Sequence, residues 1–312
     1  LGGSGFFGKS FIDNFQKNIF TNAESKYKLI LASRNINSVI NIIDPKLLNK
    51  KIFLDSIDVT SCKSIPDSDL VIHAATSTSK IDYINNPDLE RKNIINGAEN
   101  IIKKITKNTK FIYVSSGAIY GKQLNKDKGF LENVNNKKVM LNGTKLHYSK
   151  AKIEAENTII KYSELNSIKS TIARCFAFVG KYLPLDSHFY VGNMINSILK
   201  NSIHEIKSEH QVFRSYMHAD DLIRSLLFIN DYASTKCEIF NIGSNEITEL
   251  HELASFFSSE YGFKISGNKE ANKDLEPDIY IPNIDKLLSK GFKVNYNIIH
   301  SIKNVIKEIK NE

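Results

Sequence analysis

Apolar residues along this chain fall into two alternating patterns. Phe6, Phe7, Phe11, Ile12, Phe15 and Ile19 recur at helical spacing, which gives one apolar helix face. Residues 28–33 then form a short apolar run bounded by polar residues, as a buried strand does. Residues 51–60 and 69–76 predict two further strands. The second ends in small residues, Ala74 and Ala75, so a ligand can pass close to the backbone there. Helical periodicity returns over residues 87–104, and residues 110–116 predict another strand. Residues 147–156 are helical again, Val191-Gly192-Asn193 opens an apolar helical segment, and residues 297–312 read as a solvated terminal helix. Strands alternating with helices through short loops predict an α/β fold built on a doubly wound parallel sheet. Its ligands would bind at the carboxyl ends of the strands.

Directly ahead of the first helical run, Gly2, Gly5 and Gly8 form Gly-x-x-Gly-x-x-Gly. Such glycines suit a tight turn, a close approach to a pyrophosphate and close helix–strand packing, with helix amides and dipole receiving phosphate charge. A plain flexible N-terminus shares the pattern. A strand should run into Gly2, yet only Leu1 precedes it and there is no initiator Met. The intact protein is therefore expected to start several residues earlier, with the first strand largely missing from this chain.

Composition alters the picture little. The 312 residues, 41% hydrophobic and 24% charged, suit a soluble globular chain with one large domain or two unequal ones. No apolar run approaches the ~20 residues that span a bilayer, and no signal peptide is visible, so no membrane partner and a cytoplasmic location are expected. Cys62, Cys175 and Cys237 are widely spaced and indicate neither a metal site nor a disulfide framework. The net charge of +8 raises nucleic acid as a partner, but the lysines are scattered without a dense basic block. A solvated surface is the preferred account and no nucleic acid is expected, while a basic surface favours an anionic substrate.

Two stretches carry candidate chemistry. After the strand at 28–33, Arg34 stands where an NAD-binding fold offers Asp or Glu to the adenosine ribose. A carboxylate repels a 2′-phosphate and a guanidinium clamps it, which points to NADP, with NAD the alternative; an ordinary surface arginine reads the same way. Tyr148 and Lys152 are four residues apart and share a helix face. An ammonium near a phenol stabilises phenolate and lowers its pKa from ~10 toward neutrality, making a competent acid or base. The strand-end Ser116 can hold the reacting oxygen. An exposed helix face shows the same Tyr-x-x-x-Lys spacing. His73 reads as a packing residue rather than a ligand.

Taken in order, these motifs resemble the extended short-chain dehydrogenase/reductases of the nucleotide-sugar epimerase/dehydratase family. The resemblance rests on the glycine turn, Asp58-Val59, His73-Ala74-Ala75, Ser115-Ser116 with Tyr120-Gly121, and Tyr148/Lys152. Arg174 to Gly180, Arg214 to Leu222 and Phe240-Asn241-Ile242-Gly243-Ser244 extend it to about Leu250. It implies a Rossmann-type domain over residues 1–175, with 214–243 returning to it. A smaller C-terminal substrate-binding domain over 176–202 and 245–312 would close over the sugar nucleotide. It implies Ser116, Tyr148 and Lys152 as the catalytic set. It assigns Gly2, Ser4, Gly5, Phe6, Phe7, Gly8, Arg34, Asp58, Val59, Ala74 and Ala75, with Tyr148 and Lys152, to the dinucleotide. Arg214 matches the position that binds the substrate diphosphate, a structural ion pair with Asp220 or Asp221 being the alternative. Asn193 would meet the base or phosphates, or else cap a helix. The resemblance further implies a homodimer formed through residues 87–104 and the Tyr148 helix, and a role in polysaccharide biosynthesis.

Three departures from the family pattern narrow the reaction. Relatives that perform 4,6-dehydration carry an Asp-Glu pair after the strand-end hydroxyl, where this chain has Gly117 and Ala118. Epimerases carry an Asn at the position of Ala177, and the Asn usual three residues before the helix glycine is Ile94 here, with Asn93 displaced by one. What remains is hydride transfer at C4 of a nucleotide-activated sugar. The leading expectation is 4-keto reduction with NADP, and the alternative is a 4-epimerase holding NAD tightly. A non-catalytic NADP-binding protein is a further alternative, disfavoured because Tyr148 and Lys152 are both present.

Overall fold

The computed structural model of the protein describes residues 1–21, 26–76, 84–133 and 144–311. The side chain of Ile19 and the whole of Glu312 lie outside the described residues. In chain order the elements begin with α1 (Phe6–Thr21), β1 (Leu29–Ala32), β2 (Ile52–Asp55), β3 (Leu70–His73) and α2 (Pro87–Ile102). Next come β4 (Lys110–Ser116), α3 (Thr144–Asn166), β5 (Ser170–Cys175), β6 (Ala177–Val179), α4 (Tyr190–Lys200) and β7 (His204–Ile206). They continue with β8 (Val212–Arg214), β9 (Tyr216–His218), α5 (Ala219–Ile229), β10 (Glu238–Ile242), β11 (Thr248–Glu249) and α6 (Leu250–Tyr261). The last are β12 (Ile265–Gly267), β13 (Asp278–Tyr280), α7 (Asp285–Ser289) and α8 (Ile298–Lys310).

The chain forms two compact units. The first comprises Leu1–Ile119, Leu141–Arg174 and Ile223–Phe240. Its strands β1 and β2 pair in parallel, Leu29 opposite Ile52 and Ala32 opposite Asp55. A four-stranded sheet runs in the order β10-β5-β4-β3, with β3 and β4 parallel from Leu70–Lys110 to His73–Tyr113. Leu1 lies between the two groups of strands. Its amine donates to Ile72 O (2.7 Å) and its carbonyl accepts from Ala74 N (3.0 Å), while Gly2 N donates to Ala32 O (2.8 Å). Strand β4 is buried at every residue from Phe111 to Ser116, and so on both faces, as strands inside parallel sheets are. Helix α2 starts with Pro87 in its first turn beside Asp88 and Glu90, a favourable N-terminus. Its Ile94, Ala98, Ile101 and Ile102 share a core with Ala151, Ala155 and Ile159 of α3.

Two predicted strands end early. Strand β2 stops at Asp55 because Asp58 folds the backbone into a turn, its Oδ1 accepting from Thr60 N (2.9 Å) and Thr60 Oγ1 (2.7 Å). Such local side-chain bonds compete with the ladder. Strand β3 stops at His73, and beyond it Ala74 N donates to Leu1 O.

The second unit comprises Tyr120–Met140, Cys175–Leu222 and Asn241–Glu312. Its strands form small groups: β8 between β11 and β13, β6 with β9, and β7 with β12. Val191, Met194, Ile195 and Ile198 of α4 pack with Leu253 and Phe257 of α6 and with α8. The terminal helix is therefore not simply solvated. Ile298, Ile302, Val305 and Ile306 fall on one stripe of α8 and are buried in this core.

Candidate active site

The glycine turn delivers the chain into α1. Gly2 has φ +89°, and a Cβ there would stand 2.8 Å from the Ala74 carbonyl carbon. At Gly8 a Cβ would lie 2.1 Å from Gly3 O, so the first turn of α1 presses directly on the loop. At Gly5 the nearest atom would be Gly2 O at 3.5 Å, an ordinary contact that packing alone allows any small residue to make. No acidic residue occupies the first turn of α1, so the positive end of the helix dipole is unopposed. This cradle fits a pyrophosphate. Ser4 is tied to the end of β1, its Oγ accepting from Ser33 Oγ (2.9 Å). Phe6 and Phe7, both half-buried, meet edge to face at 5.9 Å. Gly8→Ala is expected to cost about 1–3 kcal/mol of stability by overpacking and to abolish dinucleotide binding. A thermal melt and a cofactor-fluorescence titration check both, and wild-type values in the variant would refute the packing account.

Arg34 is exposed just beyond β1, and among the described residues its side chain makes no hydrogen bond or ion pair. Its charge reaches Asp58. That carboxyl is held below its ordinary pKa chiefly by the Thr60 hydroxyl, then by the Thr60 amide, with a further contribution from Arg34. Val59 is clasped by α2: Asn100 Nδ2 donates to Val59 O (2.9 Å), and Val59 Cγ2 would lie 3.0 Å from a Cβ on Gly97. Ala74 and Ala75 follow β3, with Ala75 N donating to His73 Nδ1 (3.4 Å). His73 is 2% exposed and packs against the rings of Phe111 and Tyr113. Burial holds its pKa well below the ordinary value, helped by nearby positive charge including Lys152, so the imidazole is neutral.

Strand β4 delivers Ser116 into a 3-10 turn, Gly117–Tyr120, where Ser116 Oγ accepts from Ala118 N (3.2 Å). Helix α3 is fastened to this turn by Ser149 Oγ, which donates to Ala118 O (2.9 Å). Tyr148, half-buried, and Lys152 lie one helical turn apart. The Lys152 ammonium is 5.8 Å from the Tyr148 ring centroid and 4.8 Å from that of Tyr113. Lys152 is 2% exposed, and an ammonium that deep needs partners. It donates to Val114 O (2.9 Å) and Thr76 Oγ1 (3.0 Å). A positive charge held beside a phenol favours the phenolate, so the pair can give or take a proton. Thr76 and Val114 carried no sequence signal, because neither their spacing nor their type announces contact with a distant lysine.

Further along α3, Glu156 forms a buried ion pair with Arg174 of β5. Nη2 lies 2.7 Å from Oε2 and Nε 3.2 Å from both carboxylate oxygens. In the second unit, Arg214 Nη2 donates to Asp278 Oδ2 (2.7 Å), and Nη1 donates to the carbonyls of Asp278 and Phe213. The structural ion pair expected with Asp220 or Asp221 is thus made with Asp278. Asp221 instead accepts from Asn295 N and Tyr296 N, at 2.8 and 3.0 Å. Asn193 does not cap α4: the capping position is Phe189, and Asn193 Nδ2 reaches back to Ser187 O (2.9 Å). Tyr120 and Asn241 serve packing, with the Tyr120 hydroxyl donating to Asn241 Oδ1 (2.7 Å).

The model of the NAD dependent epimerase/dehydratase family matches residues 1–243. A putative UDP-glucose 4-epimerase of Methanocaldococcus jannaschii is 25% identical over 316 residues, spanning 99% of this chain and 97% of its own. Among solved structures, a dTDP-glucose 4,6-dehydratase of Streptomyces venezuelae with NAD and TYD bound superposes with a TM-score of 0.81. It is 14% identical and covers 100% of this chain and 96% of its own. A UDP-glucose 4-epimerase of Thermotoga maritima with UDP-glucose gives a TM-score of 0.75 at 17% identity, covering 99% and 97%. The α/β fold of these enzymes is the fold of this chain. Among the described residues no helix is long and apolar enough to cross a membrane.

Proposed function

Because the chain belongs to the NAD dependent epimerase/dehydratase family, we propose that it transfers hydride at C4 of a nucleotide-activated sugar, acting as an NADP-dependent 4-keto reductase. One observation carries the choice of chemistry. The helix bearing Tyr148 and Lys152 is fastened through Ser149 to the turn that follows Ser116. The two positions directly after Ser116 are Gly117 and Ala118, neither of which offers an acid or base for dehydration.

A bound nicotinamide dinucleotide supplies the hydride to C4. Tyr148 gives its phenolic proton to O4 as the carbonyl becomes an alcohol, and solvent later restores that proton. Ser116 holds O4 through its hydroxyl. Lys152 stabilises the phenolate left on Tyr148 and anchors the nicotinamide ribose. Arg34, exposed past β1 with no carboxylate replacing it, takes the 2′-phosphate. In the second unit we assign Arg214 to the substrate diphosphate, which must draw the guanidinium from Asp278, and Asn193 to the base or phosphates.

A 4-epimerase is the second reading, favoured by the archaeal relative's name and opposed by Ala177. The test begins with protein purified without added cofactor. Any bound dinucleotide is released and identified, and NADPH and NADH are titrated by fluorescence. An empty site that prefers NADPH, followed by NADPH oxidation on 4-keto sugar nucleotides, supports the reductase. Stoichiometric NAD supports the epimerase. Arg34→Ala is expected to weaken NADPH about tenfold or more, the worth of a charge-assisted hydrogen bond, and to leave NADH within twofold. Equal losses for both dinucleotides would remove Arg34 from the 2′-phosphate.

A further inference from the structure

The most buried charged group near the proposed chemistry is Lys152, and its seat is made by two strands other than its own helix. Its Nζ donates to Val114 O (2.9 Å) near the end of β4 and to Thr76 Oγ1 (3.0 Å) just past the end of β3. These strands are neighbours in parallel register up to His73 opposite Tyr113, so both acceptors stand at the same edge of the sheet. The face of the Tyr113 ring, 4.8 Å away, completes the seat. A lysine side chain carries about 2 kcal/mol of rotamer entropy, so each acceptor that fixes its ammonium counts. Val114 contributes a backbone atom that any residue would provide. Thr76 contributes a side-chain oxygen that only a hydroxyl residue places there.

We infer that Thr76 is a positioning residue whose hydroxyl oxygen, with the Val114 carbonyl, fixes the Lys152 ammonium beside Tyr148 and thereby sets how readily Tyr148 ionises. The inference rests on the function proposed above for its consequence in turnover, but its geometry stands on the Lys152 contacts alone. Without the Thr76 oxygen, the ammonium turns toward Val114 and the Tyr113 ring, and its hold on a phenolate at Tyr148 weakens. Other charged groups around α3 stay constant in this comparison. His147 faces Asp88, Arg91 pairs with Glu154, Glu90 is buried on α2, and His73 and Tyr113 lie on β3 and β4.

The test reads Tyr148 directly. Phenolate absorbance is titrated in the full chain without substrate, and the Tyr148 signal is isolated by subtracting the matching Tyr148→Phe protein. Thr76→Val, which keeps the branched shape and removes the oxygen, is expected to move the Tyr148 midpoint to higher pH. Thr76→Ser, which keeps the hydroxyl, is expected to leave it at the wild-type position. In turnover of a 4-keto sugar nucleotide, Thr76→Val is expected to lower kcat about tenfold, as 1.4 kcal/mol of lost stabilisation gives, with KM within twofold.

An unmoved midpoint in Thr76→Val, or an equal shift in Thr76→Ser, overturns the assignment. Should Thr76→Val fail to fold, Thr76→Ala carries the same two outcomes. A shifted midpoint in a protein that turns over no nucleotide sugar keeps the positioning role and rejects the proposed function. Turnover with an unmoved midpoint does the reverse.

Discussion

Tyr148→Phe is expected to lower turnover about 10²–10⁴-fold, the usual loss when a positioned acid–base group is removed, while dinucleotide affinity changes little. The substitution deletes one oxygen from a half-buried ring and leaves its packing in place. The glycine turn and Arg34, which we propose hold the dinucleotide, are untouched. Lys152→Met should match that loss in kcat and also weaken dinucleotide binding. It removes the ammonium seated on Val114 O and Thr76 Oγ1, 5.8 Å from the Tyr148 ring. Steady-state kinetics under saturating cofactor, beside a fluorescence titration of the same proteins, separate the two effects. A Tyr148→Phe protein that keeps a tenth of wild-type kcat would show that the proton at O4 comes from elsewhere.

Glu156→Gln is expected to destabilise the protein by about 3–5 kcal/mol, because it leaves the Arg174 charge buried without its counter-ion. The two side chains are only 5% and 3% exposed, so solvent screens neither. Their hydrogen bonds clamp α3 to β5 one helical turn after Lys152. Arg174→Met alone should cost a similar amount. The pair Glu156→Leu with Arg174→Met should recover most of the loss, since well-packed apolar residues of similar volume often replace a buried ion pair without penalty. Denaturant unfolding of Glu156→Leu, Arg174→Met and their double variant forms the double-mutant cycle. Additive losses in the double variant would mean that the two charges do not compensate one another.

The alternation of short apolar runs with helical spacings was enough to place α1, β1 to β4, α2, α3, α4 and α8, since burial on a sheet and burial on one helix face impose different periods. The spacing of Tyr148 and Lys152 put them on one face by helix geometry alone. The glycines at 2 and 8 marked a turn that no side chain could enter. Boundaries were harder. Nothing in the apolar run 51–60 shows that Asp58 will bond Thr60 and stop β2 at Asp55, because that choice lies between local turn and ladder. The terminal helix looked solvated because its isoleucines are separated by lysines, and only the folded chain shows Ile298, Ile302, Val305 and Ile306 facing one core.

The partners that complete the candidate site were decided by tertiary structure. Thr76 reaches Lys152 across 76 positions of chain, and Arg214 finds Asp278 rather than the nearer Asp220 or Asp221. Local sequence sets which backbone conformations are cheap, and so it determined those strands and helices and the residues sharing their faces. Which acceptor a buried cation finds depends on strands brought side by side by the burial of the whole core, and no period along the chain encodes that meeting.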